Sequence, residues 1–236
     1  KSMDAIPDRL KPHWDRKVTK RCVMTIPYNA KPFSNRSYIR DAFKEKGVDV
    51  TKEELTQCVT AVRAAMNVVV PGAMNVMKWI ETEIARAIKS GAPEIRWTTP
   101  SGFIVKQRLM KTAKSTIESQ LMGRVKISIS GAETGVDLKH HKNATAPNLI
   151  HSLDASLLHI AMTDVDFPIA LIHDSVLCRA TDMCTLSTLV RKTYMSLFAE
   201  HEPLTDFALA IGAEEQPPII GDLKPEAVID SQYFFC

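Results

Sequence analysis

At 236 residues, with 45% hydrophobic and 24% charged residues, the chain has the composition of an ordinary globular protein and the length of one large domain or two modest ones. No apolar run approaches the roughly 20 residues that a membrane span needs, and the N-terminus, with Asp4 and Asp8, lacks the basic-then-apolar layout of a signal peptide, so the cytosol or an equivalent compartment is expected, with no membrane partner. Five scattered cysteines without a C-x-x-C pair suggest neither a disulfide framework nor a zinc site.

The net charge of +3 conceals an asymmetry. Residues 1–40 hold ten Lys/Arg against three Asp/Glu, residues 41–163 sixteen against twelve, and residues 164–236 four against twelve. A basic front and an acidic tail suit a protein that grips a polyanion at one place and cations at another; charges on solvated faces are the competing reading. Lys1 in place of an initiating methionine is taken as a sign of a longer polypeptide.

In chain order, "RKVTKRCVMTI" reads as a helix from Arg16 that stops at Pro27. "TKEE" at 51–54 is a capping box, followed by Leu55, Val59, Val62, Met66 and Val69 at helical spacing until Pro71-Gly72. A further helix is predicted over 73–89, with Ile80, Ile84 and Ile88 on one face and Gly91 as its stop. "EIRWTTPSGFIVKQ" predicts two strands around a Pro-Ser-Gly turn, and a helix is then expected to carry Arg108, Lys111 and Lys114 near one side, where contacts to a polyanion's phosphates would make binding salt-dependent. "VKISIS" predicts a short strand and residues 131–145 a polar loop, in which His140-His141 is read as solvated. "APNLIHSLDASLLHIAM" predicts a helix with His151, Asp154 and Leu158 on one face. "FPIALIHDSVLCRA" reads as a buried strand that turns back after Ser175, and a helix near 182–200, a Pro-rich loop and an aromatic end complete the chain.

On the first helix Arg16, Lys20 and Met24 step by four, and Tyr28 follows four residues later. A guanidinium fork, an ammonium about 6 Å along the axis and an aromatic hydroxyl match a polyphosphate joined to a sugar. A solvent-facing basic helix would carry the same spacing.

The literal residues go further. "RKVTKRCVMTIPYN" resembles the R-x3-K-x7-Y-G fingers motif of the single-subunit RNA polymerases of phages and mitochondria, including its V-T-K-R-x-V-M-T core. "IHDS" resembles the palm motif of the same family, "APNLIHSLDAS" a segment that precedes the palm aspartate, and "YFFC" its aromatic tail. These segments occur in the family's order over nearly the whole chain.

The resemblance implies an α+β fold: a mostly helical fingers region over 1–150, then part of a polymerase palm over 151–236 with a β-hairpin backed by helices. It implies template-directed RNA synthesis with DNA template, RNA product and ribonucleoside triphosphates as partners. Two Mg2+ ions are expected in the complete site, with Asp174 as a metal ligand. Lys20 is implied as triphosphate ligand and proton donor to pyrophosphate, Arg16 as its companion on the phosphates, Tyr28 as the residue that tells ribose from deoxyribose, and His151 as a contact near the 2′-hydroxyl. His173 is expected to orient the hairpin rather than bind Mg2+, which prefers oxygen, and Arg21 to contact phosphate or face solvent.

Two departures qualify the match. Asn29 stands where the motif has glycine, and it tolerates the left-handed conformation best among ordinary residues. The family's first metal aspartate has no counterpart in "KSMDAIPDRLKPHWD", so the remaining palm and N-terminal portions of a polymerase are expected as partners and the chain alone is expected to be inactive. An infected bacterial cell is the expected setting ahead of an organelle. A family A DNA polymerase fragment, disfavoured by Ser175 in place of glutamate, and a non-catalytic nucleic-acid-binding subunit are the alternatives.

Overall fold

The structure, a computed structural model, describes residues 3–120, 125–218, 221, 223–232 and 234. It is α+β, with helices dominating and three separate two-stranded antiparallel sheets among the described residues. The chain divides into two compact units, Lys1–Ile80 with Pro217–Asp222, and Glu81–Gln216 with Leu223–Cys236.

The first unit is built on α1 (Arg16–Thr25), α2 (Pro32–Glu45) and α3 (Lys52–Val69), preceded by 3-10 turns at Met3–Ala5 and Asp8–His13. Val18 and Cys22 of α1, Ile39 and Phe43 of α2, and Leu55, Val59, Val62 and Met66 of α3 share one core with Ile6 and Leu10. Both halves of the capping box form: Thr51 Oγ1 accepts from Glu54 N at 3.2 Å and Glu54 Oε2 from Thr51 N at 2.9 Å. Arg9 closes over the same carboxylate at 2.7 Å. The helix α2, which begins on Pro32, has no counterpart among the sequence-based expectations. α4 (Pro71–Lys89) starts at Pro71 rather than after Gly72, since proline is at home in a helix's first turn.

In the second unit β1 (Ile95–Thr98) and β2 (Ile104–Gln107) pair around the expected turn, with Ile95 and Trp97 buried and Arg96 and Thr98 exposed. The helix expected over Arg108 to Lys114 is instead a strand. β3 (Met110–Ser119) pairs with β4 (Val125–Val136), setting Ile117 against Ile127 and Ser115 against Ile129. The run of Thr, Ser and Ile on both strands favours the pleated ladder once each has a partner. The expected loop over 131–145 is likewise corrected. β4 runs on to Val136, and α5 (Leu138–Thr163) begins at once, because Asp137 caps it by accepting from His140 N at 3.0 Å. Pro147 lies inside α5.

β5 (Ile169–Ile172) and β6 (Ser175–Cys178) form the last hairpin, and Ser175 pairs with Ile172, so the turn consists of His173 and Asp174 alone. These strands were expected to be buried. Leu171, Ile172 and Leu177 are exposed, while Val176 and Cys178 pack on Ala161, Leu186 and Val190 of α5 and α6 (Met183–Glu200). α7 (Pro203–Ile211) then lays Phe207 edge-on against Trp97, with ring centroids 5.5 Å apart. Of the expected aromatic tail, Phe234 stacks edge-on with Tyr194, and residues 233, 235 and 236 lie outside the described residues. Among the described residues no single helix is long and apolar enough to cross a membrane.

Candidate functional site

α1 is held from one side only. Val18 and Cys22 face the core, and Asp15 caps the N-terminus by accepting from Val18 N at 3.1 Å while bonded to Lys46 Nζ at 2.6 Å. The Lys46 hydrogen bond and the Val18 amide hold the Asp15 carboxyl below the usual carboxylate range. The opposite side of the helix presents Arg16, Lys20 and Met24 to solvent, and Tyr28 continues it, 38% exposed. Lys17 pairs with Glu45 at 2.7 Å, whereas neither the Arg16 guanidinium nor the Lys20 ammonium has a side-chain partner among the described residues. The two cations singled out by spacing are the ones that α1 leaves uncommitted. Arg21 stacks over the Tyr38 ring at 4.6 Å, a cation–π contact on the surface of α2.

Past Thr25 the chain tightens into a 3-10 turn, Ile26–Tyr28, and reverses at Asn29, whose φ of 65° and ψ of 26° are left-handed. Asn29 N donates to Ile26 O at 2.9 Å and Ala30 N to Thr25 O at 3.0 Å, the paired bonds of a Schellman ending. Asparagine fills the place that glycine usually takes, and the turn keeps its shape. Ala30 O in turn accepts from Arg63 Nη1 on α3 at 2.9 Å. The sequence reading missed Arg63. Its signal was a cation four residues after Val59 on a helix face otherwise read as apolar.

In the second unit the turn of the β5–β6 hairpin lifts Asp174 into solvent. His173 has a φ of 57°, a conformation that a two-residue hairpin usually reserves for glycine at its first central position. On α5, His151 Nδ1 stands 4.0 Å from Asp154 Oδ2, both side chains more than half exposed. The Asp154 carboxyl is pushed up by burial of its surroundings, with His151 opposing the shift and the like charge of Asp174 adding to it. Asp174 thus lies within electrostatic range of Asp154. Arg16, Lys20, Arg21 and Tyr28 belong to the first unit, and His151, His173 and Asp174 to the second.

No group of three or more His, Cys, Asp or Glu side chains suited to a metal occurs among the described residues. Mg2+, however, takes one or two carboxylates and fills its remaining positions with water and substrate phosphate. An exposed carboxylate at a hairpin tip, with a second carboxylate in electrostatic range, fits half of such a site.

One expectation outside the site needs correction. His141 is not in a solvated loop: its ring is fully buried in the first turns of α5. Its Nε2 accepts from Leu109 N at 3.2 Å and its Nδ1 lies 3.0 Å from the Gln107 amide. Burial, helped by neighbouring His140, lowers its pKa. Arg108 is engaged by Glu133, with one bond of 2.8 Å, so of the three basic residues expected to follow nucleic acid it is already paired to a carboxylate.

The family model of DNA-dependent RNA polymerase matches residues 1–216. The DNA-directed RNA polymerase of Pseudomonas phage phiKMV is 28% identical over 236 residues, covering 94% of this chain and 29% of the phage protein. DNA-directed RNA polymerase 3, chloroplastic, of Nicotiana sylvestris is 29% identical over 94% of this chain and 23% of its own length. DNA-directed RNA polymerase 2A of Nicotiana tabacum is 30% identical over 94% of this chain and 69% of its own length. The chain thus spans between a quarter and a third of the phage relative and somewhat less of the chloroplast one, while matching along nearly its own whole length. With that match added to the fingers-like helix and the His-Asp hairpin, the chain belongs to the phage-type, single-subunit family of DNA-dependent RNA polymerases.

Proposed function

We propose that this chain carries the nucleotide-binding elements and one metal-binding carboxylate of a DNA-directed RNA polymerase, with a ribonucleoside triphosphate as substrate, DNA as template and RNA as product. Residues 1–150 serve as fingers and residues 151–236 as the C-terminal part of the palm. The observation that carries the reading is the uncommitted pair Arg16 and Lys20 on the exposed face of α1, one turn apart, with Tyr28 beyond them.

Arg16 offers two parallel N–H donors to phosphate oxygens, a geometry that also fixes the phosphate's orientation. Lys20 places a charge about 6 Å further along the helix and holds a proton at Nζ for the leaving pyrophosphate. Tyr28 packs on the ribose, and its hydroxyl meets the 2′-position. His151 is a contact near the 2′-hydroxyl, with Asp154 4.0 Å from its ring on the same face of α5. His173, held at positive φ, aims the Asp174 carboxylate outward from the hairpin. Asp174 is one ligand of Mg2+, and the second carboxylate of a two-ion site comes from outside residues 1–236. Mg2+ held there would supply neutralisation of phosphate charge and a lower cost of deprotonating the RNA 3′-hydroxyl.

The test is a titration of the purified chain with Mg2+ and a ribonucleoside triphosphate, followed by side-chain NMR or protection from chemical modification. Arg16 and Lys20 are expected to respond to the triphosphate and Asp174 to Mg2+. Absence of any response at Arg16 and Lys20 overturns the nucleotide assignment. Mg2+-dependent RNA elongation by this chain alone overturns the outside origin of the second carboxylate.

A further inference from the structure

The turn after α1 and the helix α2 meet on one guanidinium of α3. Arg63 of α3 uses a single nitrogen, Nη1, to donate to Ala30 O and to Asn35 Oδ1, each at 2.9 Å. Asn35 of α2 is 1% exposed, and its own backbone carbonyl lies 3.8 Å from Cys22 Sγ on the buried side of α1. The other end of the Asn35 amide, Nδ2, is buried with no hydrogen-bond partner among the described residues. A buried amide left half satisfied is an unfavourable element in a core. What it provides in return is the acceptor that orients Arg63.

The beneficiary is the turn after Tyr28. Ala30 N closes the Schellman ending on Thr25 O, and Ala30 O is tied to Arg63, so both polar groups of this residue's backbone are fixed. The residue before it, Asn29, is left-handed without being glycine. Such a residue samples other conformations more readily than it holds this one. An anchor from outside the turn compensates for the weaker local preference.

We propose that Arg63 is a positioning residue for substrate selection: by pinning Ala30 O it fixes the Tyr28–Asn29 turn and so sets how the Tyr28 ring meets the nucleotide sugar. This rests on Tyr28 as the sugar-facing group. Lysine replaces it only in part, because a freely rotating ammonium on a flexible stem does not fix the direction of its N–H groups as the planar guanidinium does.

The experiment compares Arg63→Met, Arg63→Lys and Tyr28→Phe. In this chain, amide exchange at Asn29 and Ala30 reports opening of the turn, since those N–H groups bond within it and not to Arg63. In the complete polymerase, kcat and KM for ribo- and deoxyribonucleotides report sugar choice. Arg63→Met is expected to speed exchange at both amides by about tenfold, a local opening, while amides in the interior of α3 keep their protection. It is expected to raise the ribonucleotide KM and narrow sugar discrimination with kcat nearly retained, and Arg63→Lys to fall between. If Arg63→Met does not fold, Arg63→Lys carries the comparison. Unchanged exchange at Asn29 and Ala30 overturns the anchor. Faster exchange with unchanged discrimination, while Tyr28→Phe does admit deoxynucleotides, overturns the positioning role and leaves the Tyr28 assignment standing. If Tyr28→Phe leaves sugar choice intact, the sugar assignment falls and the substrate role of Arg63 falls with it, whatever the exchange shows.

Discussion

Replacing His141 with leucine tests whether the buried network at the start of α5 holds the corner between β2 and β3. The imidazole is fully buried and satisfies two partners, Leu109 N through Nε2 and the Gln107 side chain through Nδ1. Leucine fills similar space but offers neither the acceptor nor the donor of a neutral imidazole, so the Leu109 N–H is stranded, at about 1–3 kcal/mol for a buried group that loses its bond. Gln107 keeps Thr145 Oγ1 and Asn148 as partners and adds little, and the added apolar burial offsets part of the loss. A net loss of about 1–2 kcal/mol is expected. Urea unfolding read by amide exchange over residues 104–112 and 138–149 follows this unit separately from residues 16–69. The same residue fixes the sign of a pH effect. Burial holds its pKa below the ordinary value of 6.5, so the unfolded chain takes up the proton first. Its stability contribution is complete above about pH 6.5 and declines as the pH falls from there through the lowered folded value. His141→Gln, which keeps hydrogen-bonding groups but does not titrate, is expected to flatten that decline. A midpoint shift worth under about 1 kcal/mol for leucine, or an unchanged acid slope in the glutamine variant, refutes the reasoning.

Lys20→Ala is expected to weaken binding of a ribonucleoside triphosphate by about tenfold, the size of one lost charge-assisted contact, and to reduce its salt sensitivity in a fluorescence titration; unaltered affinity removes Lys20 from the site. Glu83→Leu leaves Arg86 its Glu214 and Gly212 partners but removes the acceptor of the Glu214 N–H, and is expected to cost about 1–3 kcal/mol, measured by the urea midpoint of the second unit. Burial raises the Glu83 pKa, but Arg86 and the amides of Glu214 and Glu215 outweigh it and leave the value lowered. Its contribution is therefore full above about pH 4.5 and lost as the pH falls through the lower folded value. His173→Gly removes a left-handed penalty of about 1–2 kcal/mol and adds about 0.4–1 kcal/mol of unfolded-chain entropy. A slightly more stable hairpin with weaker Mg2+ binding is expected; a destabilised hairpin shows that His173 is not strained.

What the sequence revealed was local. The capping box at Thr51, the helix from Arg16, the Pro-Ser-Gly turn and the Arg16–Lys20–Tyr28 spacing each depend on residues within a few positions of one another, where periodicity and cap chemistry are decisive. What it hid depended on distant partners. Thr112 to Glu118 adopt a strand because Val125 to Val136 pair with them, and a polar run carries no mark of its partner. His141 looked solvated because Gln107 and Leu109, which make its burial tolerable, lie more than thirty residues upstream. Arg63 was hidden among apolar neighbours for the same reason, its acceptors lying on Ala30 and Asn35.

The backbone is strained at two turns that adjoin motif residues. Among the described residues, positive φ outside glycine occurs at Asn29 and at His173. One adjoins Tyr28 and the other adjoins Asp174. The two turns differ in every other respect: one closes a helix, the other joins two strands. A chain selected for stability alone would place glycine at both positions, as the Schellman ending and the two-residue hairpin each favour. Asn29 and His173 therefore each hold a conformation that costs local strain. Each turn then needs support from its surroundings. At Asn29 that support is visible in the Arg63 anchor. At His173 it is the ladder alone, with Ile172 and Ser175 paired directly beneath the turn.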